Sequence, residues 1–177
     1  MKNTVYIISG PAGVGKSTTS QTLVQEFEKS AYISGDDISH IPVKGRGLPW
    51  LDQESLDLIW NNILSLTSNL LDYGFDVVID YVTFPSEAAW LAEKLKHRDI
   101  KVVYVVLLVD DETIVQRDRL RPEEHQMGER SLILLHEFER DGSLSDLNKL
   151  YTHHYSVDQL PEIIKEIIHN EKYLVRL

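Results

Sequence analysis

Cysteine is absent from the 177-residue chain. Disulfides, thiolate metal sites and a cysteine nucleophile are therefore excluded, although that alone does not fix a compartment. Cations are scarce too: 18 Lys and Arg face 28 Asp and Glu, a net charge of −10. A surface of that sign argues against nucleic acid as the partner, a local basic channel apart. Two methionines and three scattered tryptophans offer no platform for stacking bases. No apolar run reaches membrane length, and one lysine followed by a six-residue apolar run does not make a signal peptide. Repeats, linkers and low-complexity segments are also missing. What remains, 42% hydrophobic and 26% charged residues, is the composition of a soluble globular protein with enough chain for a core. The expectation is one domain over residues 1–177.

Against this background one stretch stands out. Gly10-Pro11-Ala12-Gly13-Val14-Gly15-Lys16-Ser17 fits the phosphate-loop pattern G-x-x-x-x-G-K-[ST] without a mismatch. The β-branched run Thr4–Ser9 before it reads as a buried strand, and Thr18 to Lys29 reads as a helix. Backbone N–H groups of such a loop form an anion nest at the positive end of the helix that follows. Lys16 is suited to the β- and γ-phosphates of a nucleotide, and the Ser17 hydroxyl to Mg²⁺, which prefers hard oxygen ligands. The expected nucleotide-binding set is Gly10 through Thr18.

Short β-rich runs alternate with helical ones along the rest of the chain. Strands are expected at Ala31–Ser34, Asp76–Asp80 and Lys101–Val109, with a weak fifth over Tyr151–Val157. Leu56, Ile59, Ile63, Leu66 and Leu70 outline a long helix ending at Tyr73-Gly74. Further helices are expected from Pro85, from Asp110 to about Leu120, over roughly 130–140, and from Pro161, with a short one between Leu144 and Leu150. Five strands alternating with helices predict an α/β fold, three layers around a five-stranded parallel sheet. Ligands in such sheets lie beyond the carboxyl ends of the strands, where this chain has its phosphate loop, Asp36-Asp37, Asp80-Tyr81 and Asp110-Asp111.

Asp36 is placed to take a proton from an attacking hydroxyl or to hold Mg²⁺ through water, with Asp37 as the expected helix cap. Asp80 ends an apolar strand and is a candidate for the metal's water shell or for orienting substrate. Arg117, Arg119, Arg121 and Arg130 form a local cationic cluster, and the polar stretch 121–130 reads as a lid able to bring arginine onto a transferring phosphate. Lys44, Arg46 and Trp50 lie in a Pro/Gly-rich loop expected to overhang the acceptor, with Arg46 a candidate for binding it; the acceptor side spans about 37–73. No histidine pair has chelating spacing along the chain, so no histidine metal site is expected.

In their order, the loop Gly10–Ser17, Gly35-Asp36-Asp37, Ile79-Asp80-Tyr81-Val82 and the arginines of 117–130 resemble the small P-loop kinases related to shikimate, gluconate, adenylylsulfate and chloramphenicol kinases. The likeness to chloramphenicol phosphotransferase-like proteins lies around Val78–Phe84 and Leu135-His136-Glu137. Gly35-Asp36-Asp37-Ile38-Ser39-His40 departs by one residue from the Gly-Asp-x-Leu-His pattern of gluconate kinases. No Asn-Lys-x-Asp guanine signature is present. What the resemblance implies is a cytoplasmic kinase that uses ATP and Mg²⁺ and phosphorylates a hydroxyl of a small molecule such as a sugar acid or antibiotic. It implies Lys16, Asp36, Arg121 and Arg130 as catalytic residues, Arg117 on the adenine, Asp36, Arg46 and Asp80 on the substrate, and Ser17 with Asp36 or Asp80 around the metal. A nucleoside or polynucleotide 5′-kinase, a simple ATPase and a nucleotide-binding regulatory or toxin-like protein are the alternatives. Neither the acceptor nor the oligomeric state follows from the sequence.

Overall fold

A computed structural model describes residues 2–176. Its five strands are β1 (Thr4–Ser9), β2 (Ser30–Ser34), β3 (Asp76–Asp80), β4 (Lys101–Leu108) and β5 (Lys149–Tyr151). They form one sheet in the order β2-β3-β1-β4-β5. Every pairing between neighbouring strands is parallel. Helices cover both sides. Burial on both faces explains why β1 and β4 are nearly continuous apolar runs rather than alternating ones. Among the described residues no helix is long and apolar enough to cross a membrane.

Among the described residues six α-helices lie between the strands, α1 (Lys16–Leu23), α2 (Gly35–Ser39), α3 (Gln53–Asp72), α4 (Pro85–Leu95), α5 (Asp111–Arg119) and α6 (Glu129–Arg140), and a seventh, α7 (Leu160–His169), follows β5. The long helix α3 ends at Tyr73, followed by Gly74 at φ 77°, as the sequence predicts. Its inner face is shifted from the expected one. Ile59, Trp60, Ile63, Thr67 and Leu71 are buried, while Leu66 is exposed. Helix α1 is shorter than expected, because the chain tightens into a 3₁₀ turn at Val24–Glu26 before β2.

The C-terminal expectations need correction. Residues 144–150 hold only a 3₁₀ turn at Asp146–Asn148, and the fifth strand is Lys149–Tyr151 rather than Tyr151–Val157. Leu150 is its one buried side chain, too little to leave a strand pattern in the sequence. His153 and His154 follow the strand in a turn, with ring centroids 3.9 Å apart. The lower half of β4 is covered by the chain end, where Leu174 bridges Val103 antiparallel and the Val175 amide donates to the Val102 carbonyl.

Two local constraints shape the carboxyl edge of the sheet. Helix α2 begins directly after β2, and Ser34, not Asp37, caps it by accepting from the Asp37 amide at 3.1 Å. Gly35 at its first position lies against the Tyr81 ring, so that an added Cβ would be 2.2 Å from Tyr81 Cγ. At the other end of the edge, α5 and α6 form a hairpin whose turn is the stretch expected as a lid. Buried Asp118 on α5 accepts from the Met127 amide at 2.9 Å and the Gly128 amide at 2.7 Å, pinning the far end of the turn.

Each contact gives an expected outcome. Gly35→Ala forces a rigid ring and a backbone apart, and is expected to cost about 2 kcal/mol or more. The midpoint of denaturant unfolding should fall at unchanged m-value. Asp118→Ala removes the acceptor of two lid amides, worth about 1–3 kcal/mol locally. Amide exchange at residues 127 and 128 should accelerate by roughly tenfold or more, with exchange in β1 and β4 unchanged.

Candidate phosphate-transfer site

The site begins in the register of the sheet. Asp80 lies opposite Ile8 on one side and Ser34 on the other, so the ends of β1, β2 and β3 are level. Two residues beyond Ile8 is Gly10, and two beyond Ser34 is Asp36. These groups meet because the strands stop together. A buried knot holds the ends in place: Ser9 Oγ donates to the Thr83 carbonyl at 2.7 Å and accepts from the Thr83 amide at 2.8 Å. Tyr104 of β4 donates its hydroxyl to the same carbonyl at 2.7 Å.

From Ser9 the chain turns sharply into the loop. Gly10, at φ 135°, passes so close to β4 that a Cβ would stand 2.3 Å from the Leu107 carbonyl oxygen. Gly13 and Gly15 also have positive φ, and Gly15 leads into α1. Lys16, the first residue of α1, folds back and donates from Nζ to the Pro11 carbonyl at 3.0 Å. Burial lowers its pKa, while the charges of Asp80 and Asp36 oppose that shift and Arg121 adds to it. Lys16 thus lies within electrostatic reach of both carboxylates and one lid arginine. Ser17 and Thr18 are exposed at the start of α1.

Asp80 is buried and receives the Tyr32 hydroxyl at 2.7 Å. Burial first, and then the Asp80 carboxylate, push the Tyr32 pKa up, so the phenol stays protonated and donates. Tyr32 also lies beside the Ser17 hydroxyl. Asp36 is exposed in the first turn of α2, where the helix dipole favours a negative charge. Its carbonyl, not its carboxylate, is engaged, accepting from Ser39 Oγ and facing His40 Nδ1, each at 2.7 Å. The Tyr81 hydroxyl is kept protonated by burial and by the Asp36 charge.

The lid arginines divide. Arg117 donates from Nη1 to the Val14 carbonyl at 2.7 Å, which presses α5 against the loop. Burial lowers its pKa, with the Asp110 charge opposing. Arg121 Cδ faces Gly13, at 3.9 Å from where a Cβ would lie. Its Nη1 is buried without a hydrogen-bond partner among the described residues, and Asp118 Oδ1 is 3.6 Å away. A buried guanidinium N–H with no hydrogen-bond partner is costly, and the stem of this arginine lies beside Gly13 of the loop.

The sequence-predicted residues are not all gathered here. Lys16, Asp36, Asp80, Arg117 and Arg121 converge on the loop. Arg130 is instead stacked over the Trp50 ring, 5.2 Å from its centroid, joining the start of α6 to the acceptor-side loop. Arg46 donates from Nε to the Ser39 carbonyl at 2.7 Å and from Nη2 to Ser39 Oγ at 3.3 Å, so part of its fork closes the end of α2. Arg119 is exposed. Asp110 caps α5 by accepting from the Thr113 amide at 2.8 Å, and Asp111 pairs with His136; neither joins the carboxylates around Lys16. The sequence reading missed Ser9, Thr83 and Tyr104, which fix the strand ends, Tyr32, which holds Asp80, and Asp118, which holds the lid. A serine at the last residue of the strand before the loop is the one local signal among them.

A family model described as "AAA domain" matches residues 5–140, more than half of the chain, from the second residue of β1 to the end of α6. No curated protein sequence matches. Among solved structures, the chain is similar to the Deinococcus radiodurans tunicamycin resistance protein at TM-score 0.65 and 17% identity, over 99% of this chain and 100% of that one. A sugar kinase from Janibacter sp. HTCC2649 aligns at TM-score 0.68 and 16% identity, over 97% of each chain. The Mycobacterium tuberculosis APS kinase, in complex with AMPPNP and APS, aligns at TM-score 0.63 and 17% identity, over 96% of this chain and 98% of that one. At these identities the likeness is one of fold, the fold of small P-loop kinases. By its sequence match and its sheet, the chain belongs to the AAA domain family and has the architecture of the small P-loop kinases.

Proposed function

We propose that this protein is an ATP-dependent phosphotransferase that moves the γ-phosphate of ATP to a hydroxyl of a small molecule. One observation carries the reading. In a chain of net charge −10, three cations, Lys16, Arg117 and Arg121, are collected around a glycine loop, and one of them holds a buried N–H without an acceptor. Phosphate oxygens are the acceptors that such an arrangement suits. The APS kinase of the same fold, whose structure holds AMPPNP, supports the nucleotide assignment.

Each residue then has a task that follows from its position. The loop amides and Lys16 bind the β- and γ-phosphates, the lysine exchanging the Pro11 carbonyl for phosphate oxygen. Arg121 lies over Gly13 and meets negative charge that spreads over the oxygens of the transferring group. Arg117 keeps α5 seated on the loop and presents its remaining edge toward the base. The exposed Ser17 hydroxyl, with Asp80 in place behind it on the Tyr32 hydroxyl, is a hard oxygen set that fits Mg²⁺, with Asp36 in reach of the same shell. The ion would supply charge neutralisation between β- and γ-phosphates. Asp36, exposed at the sheet's carboxyl edge, orients the acceptor hydroxyl and takes its proton. Arg46 and Trp50 border the space that the acceptor enters. Positioning and fixed charge account for most of the rate acceleration in such a site. We place this activity in the cytoplasm, in one domain over residues 1–177, with a small molecule rather than a nucleic acid as the partner.

Two outcomes test the reading. Lys16→Ala is expected to weaken ATP binding by roughly tenfold or more and to lower phosphoryl transfer by about 10²–10³-fold. Unchanged ATP affinity and transfer would overturn the site. Asp36→Asn is expected to keep ATP affinity within a few-fold while lowering transfer by about 10²–10⁴-fold. Both are read with γ-labelled ATP against pools of sugars, sugar acids, nucleosides, aminoglycosides and phenicols. ATP binding by the wild type with no transfer to any pool would count against the kinase and for a protein that only binds nucleotide.

A further inference from the structure

Helices α5 and α6 meet at the base of their hairpin, at the end away from the lid turn. Asp111 opens α5, and His136 and Glu139 lie three residues apart on α6, on the same helix face. His136 Nε2 is 3.0 Å from Asp111 Oδ1. One ligand atom from each of the three residues lies within 4.8 Å of the other two. A tetrahedral ion bonded at about 2.0–2.2 Å holds its donors on the order of 3.3 Å apart, so only small side-chain movements separate this cluster from a coordination sphere. All three side chains remain accessible, His136 partly so.

The donor set decides the class of ion. One imidazole nitrogen and two carboxylate oxygens form a mixed set, unlike the oxygen cages that take Mg²⁺ or Ca²⁺. Imidazole suits zinc, copper and nickel, and three protein ligands with an open fourth position for water is a common zinc arrangement. The geometry points to Asp111, His136 and Glu139 as a binding site for a divalent transition-metal ion of the zinc type, separate from the Mg²⁺ proposed at the phosphates. Tyr151 of β5 lies beside Glu139 and can donate its hydroxyl to the carboxylate, orienting it as outer-shell partners do. His136 has no part in the phosphate site, and this site gives it one.

The position gives the ion a mechanical consequence. The hairpin carries Arg117 and Arg121 on or just beyond α5 and Arg130 at the start of α6. An ion shared between the first residue of α5 and the last two turns of α6 fixes the base of the hairpin, at the end opposite the turn that Asp118 pins.

The test uses untagged full-length protein, freed of metal by chelator and titrated with Co²⁺ and with Zn²⁺. Saturable one-to-one binding is expected, with the visible absorption of cobalt in a site of low coordination number, and Zn²⁺ should raise the melting temperature. His136→Asn and Glu139→Gln should each weaken binding by more than about 100-fold, a larger loss than the 10–100-fold typical of outer-shell changes. Tyr151→Phe should fall within that smaller range. The double variant His153→Asn, His154→Asn should bind as the wild type does. No saturable binding by the wild type would overturn the site. So would wild-type affinity in both His136→Asn and Glu139→Gln, or loss of binding only in the His153/His154 variant. Circular dichroism shows that each variant is folded before it is titrated.

Discussion

The carbonyl oxygen of Thr83 takes two buried hydroxyl protons, one from Ser9 at the end of β1 and one from Tyr104 on β4. The segment just past β3 is thereby tied to the two strands that carry the phosphate loop and press against it. In a buried setting such shared acceptors are strong and also demanding, since each member left unpaired costs on the order of a few kcal/mol. The consequence is geometric. Gly10 leaves β1 hard against the Leu107 carbonyl, and Asp80 stands level with Ile8, two residues before it. A loop that binds phosphate by backbone N–H groups needs those groups held still, and the knot beneath it holds them.

The electrostatics follow from the same edge. The chain carries ten more acidic than basic side chains, yet Lys16, Arg117 and Arg121 converge where two carboxylates, Asp36 and Asp80, also reach. Other acids serve local structure: Asp110 and Asp52 cap helices, and Asp118 binds the amides of Met127 and Gly128. Burial lowers the pKa of Lys16, and the charges of Asp80 and Asp36 oppose that shift.

What the sequence disclosed and what it withheld divide along a physical line. The phosphate loop, α3 with its glycine stop, and β1, β3 and β4 were legible because each is written in consecutive residues: a spacing, a cap or an apolar run. Asp36 and Asp80 were legible because strands in a parallel sheet end at a common edge. Hidden features depend on partners far along the chain. Asp118 looks like one more acid among arginines, and only the folded hairpin brings its carboxylate to the amides of 127 and 128. Tyr32 and Asp80 are forty-eight residues apart and meet only through the β2–β3 pairing. The fifth strand failed for a different reason: with three residues and one buried side chain, its position is set by β4 and not by its own pattern. Arg46 and Arg130 carry the right charge for a ligand, but charge alone does not select a partner, and the fold gives them a carbonyl and a tryptophan face.

That last contact joins two parts of the site. The stacking of Arg130 on Trp50 links the start of α6, where the lid ends, to the loop that borders the acceptor side. A cation over an exposed indole is worth about 0.5–1 kcal/mol, enough to bias a loop and too little to lock it. The lid is held more firmly at its other attachments, by Asp118 on the turn and by Arg117 on the Val14 carbonyl. The hairpin is therefore stiff on the nucleotide side and soft on the acceptor side. Under the proposed phosphotransfer, an acceptor displaces the Trp50 contact without disturbing the arginines beside the loop, so that the nucleotide meets the stiff face and the acceptor the soft one.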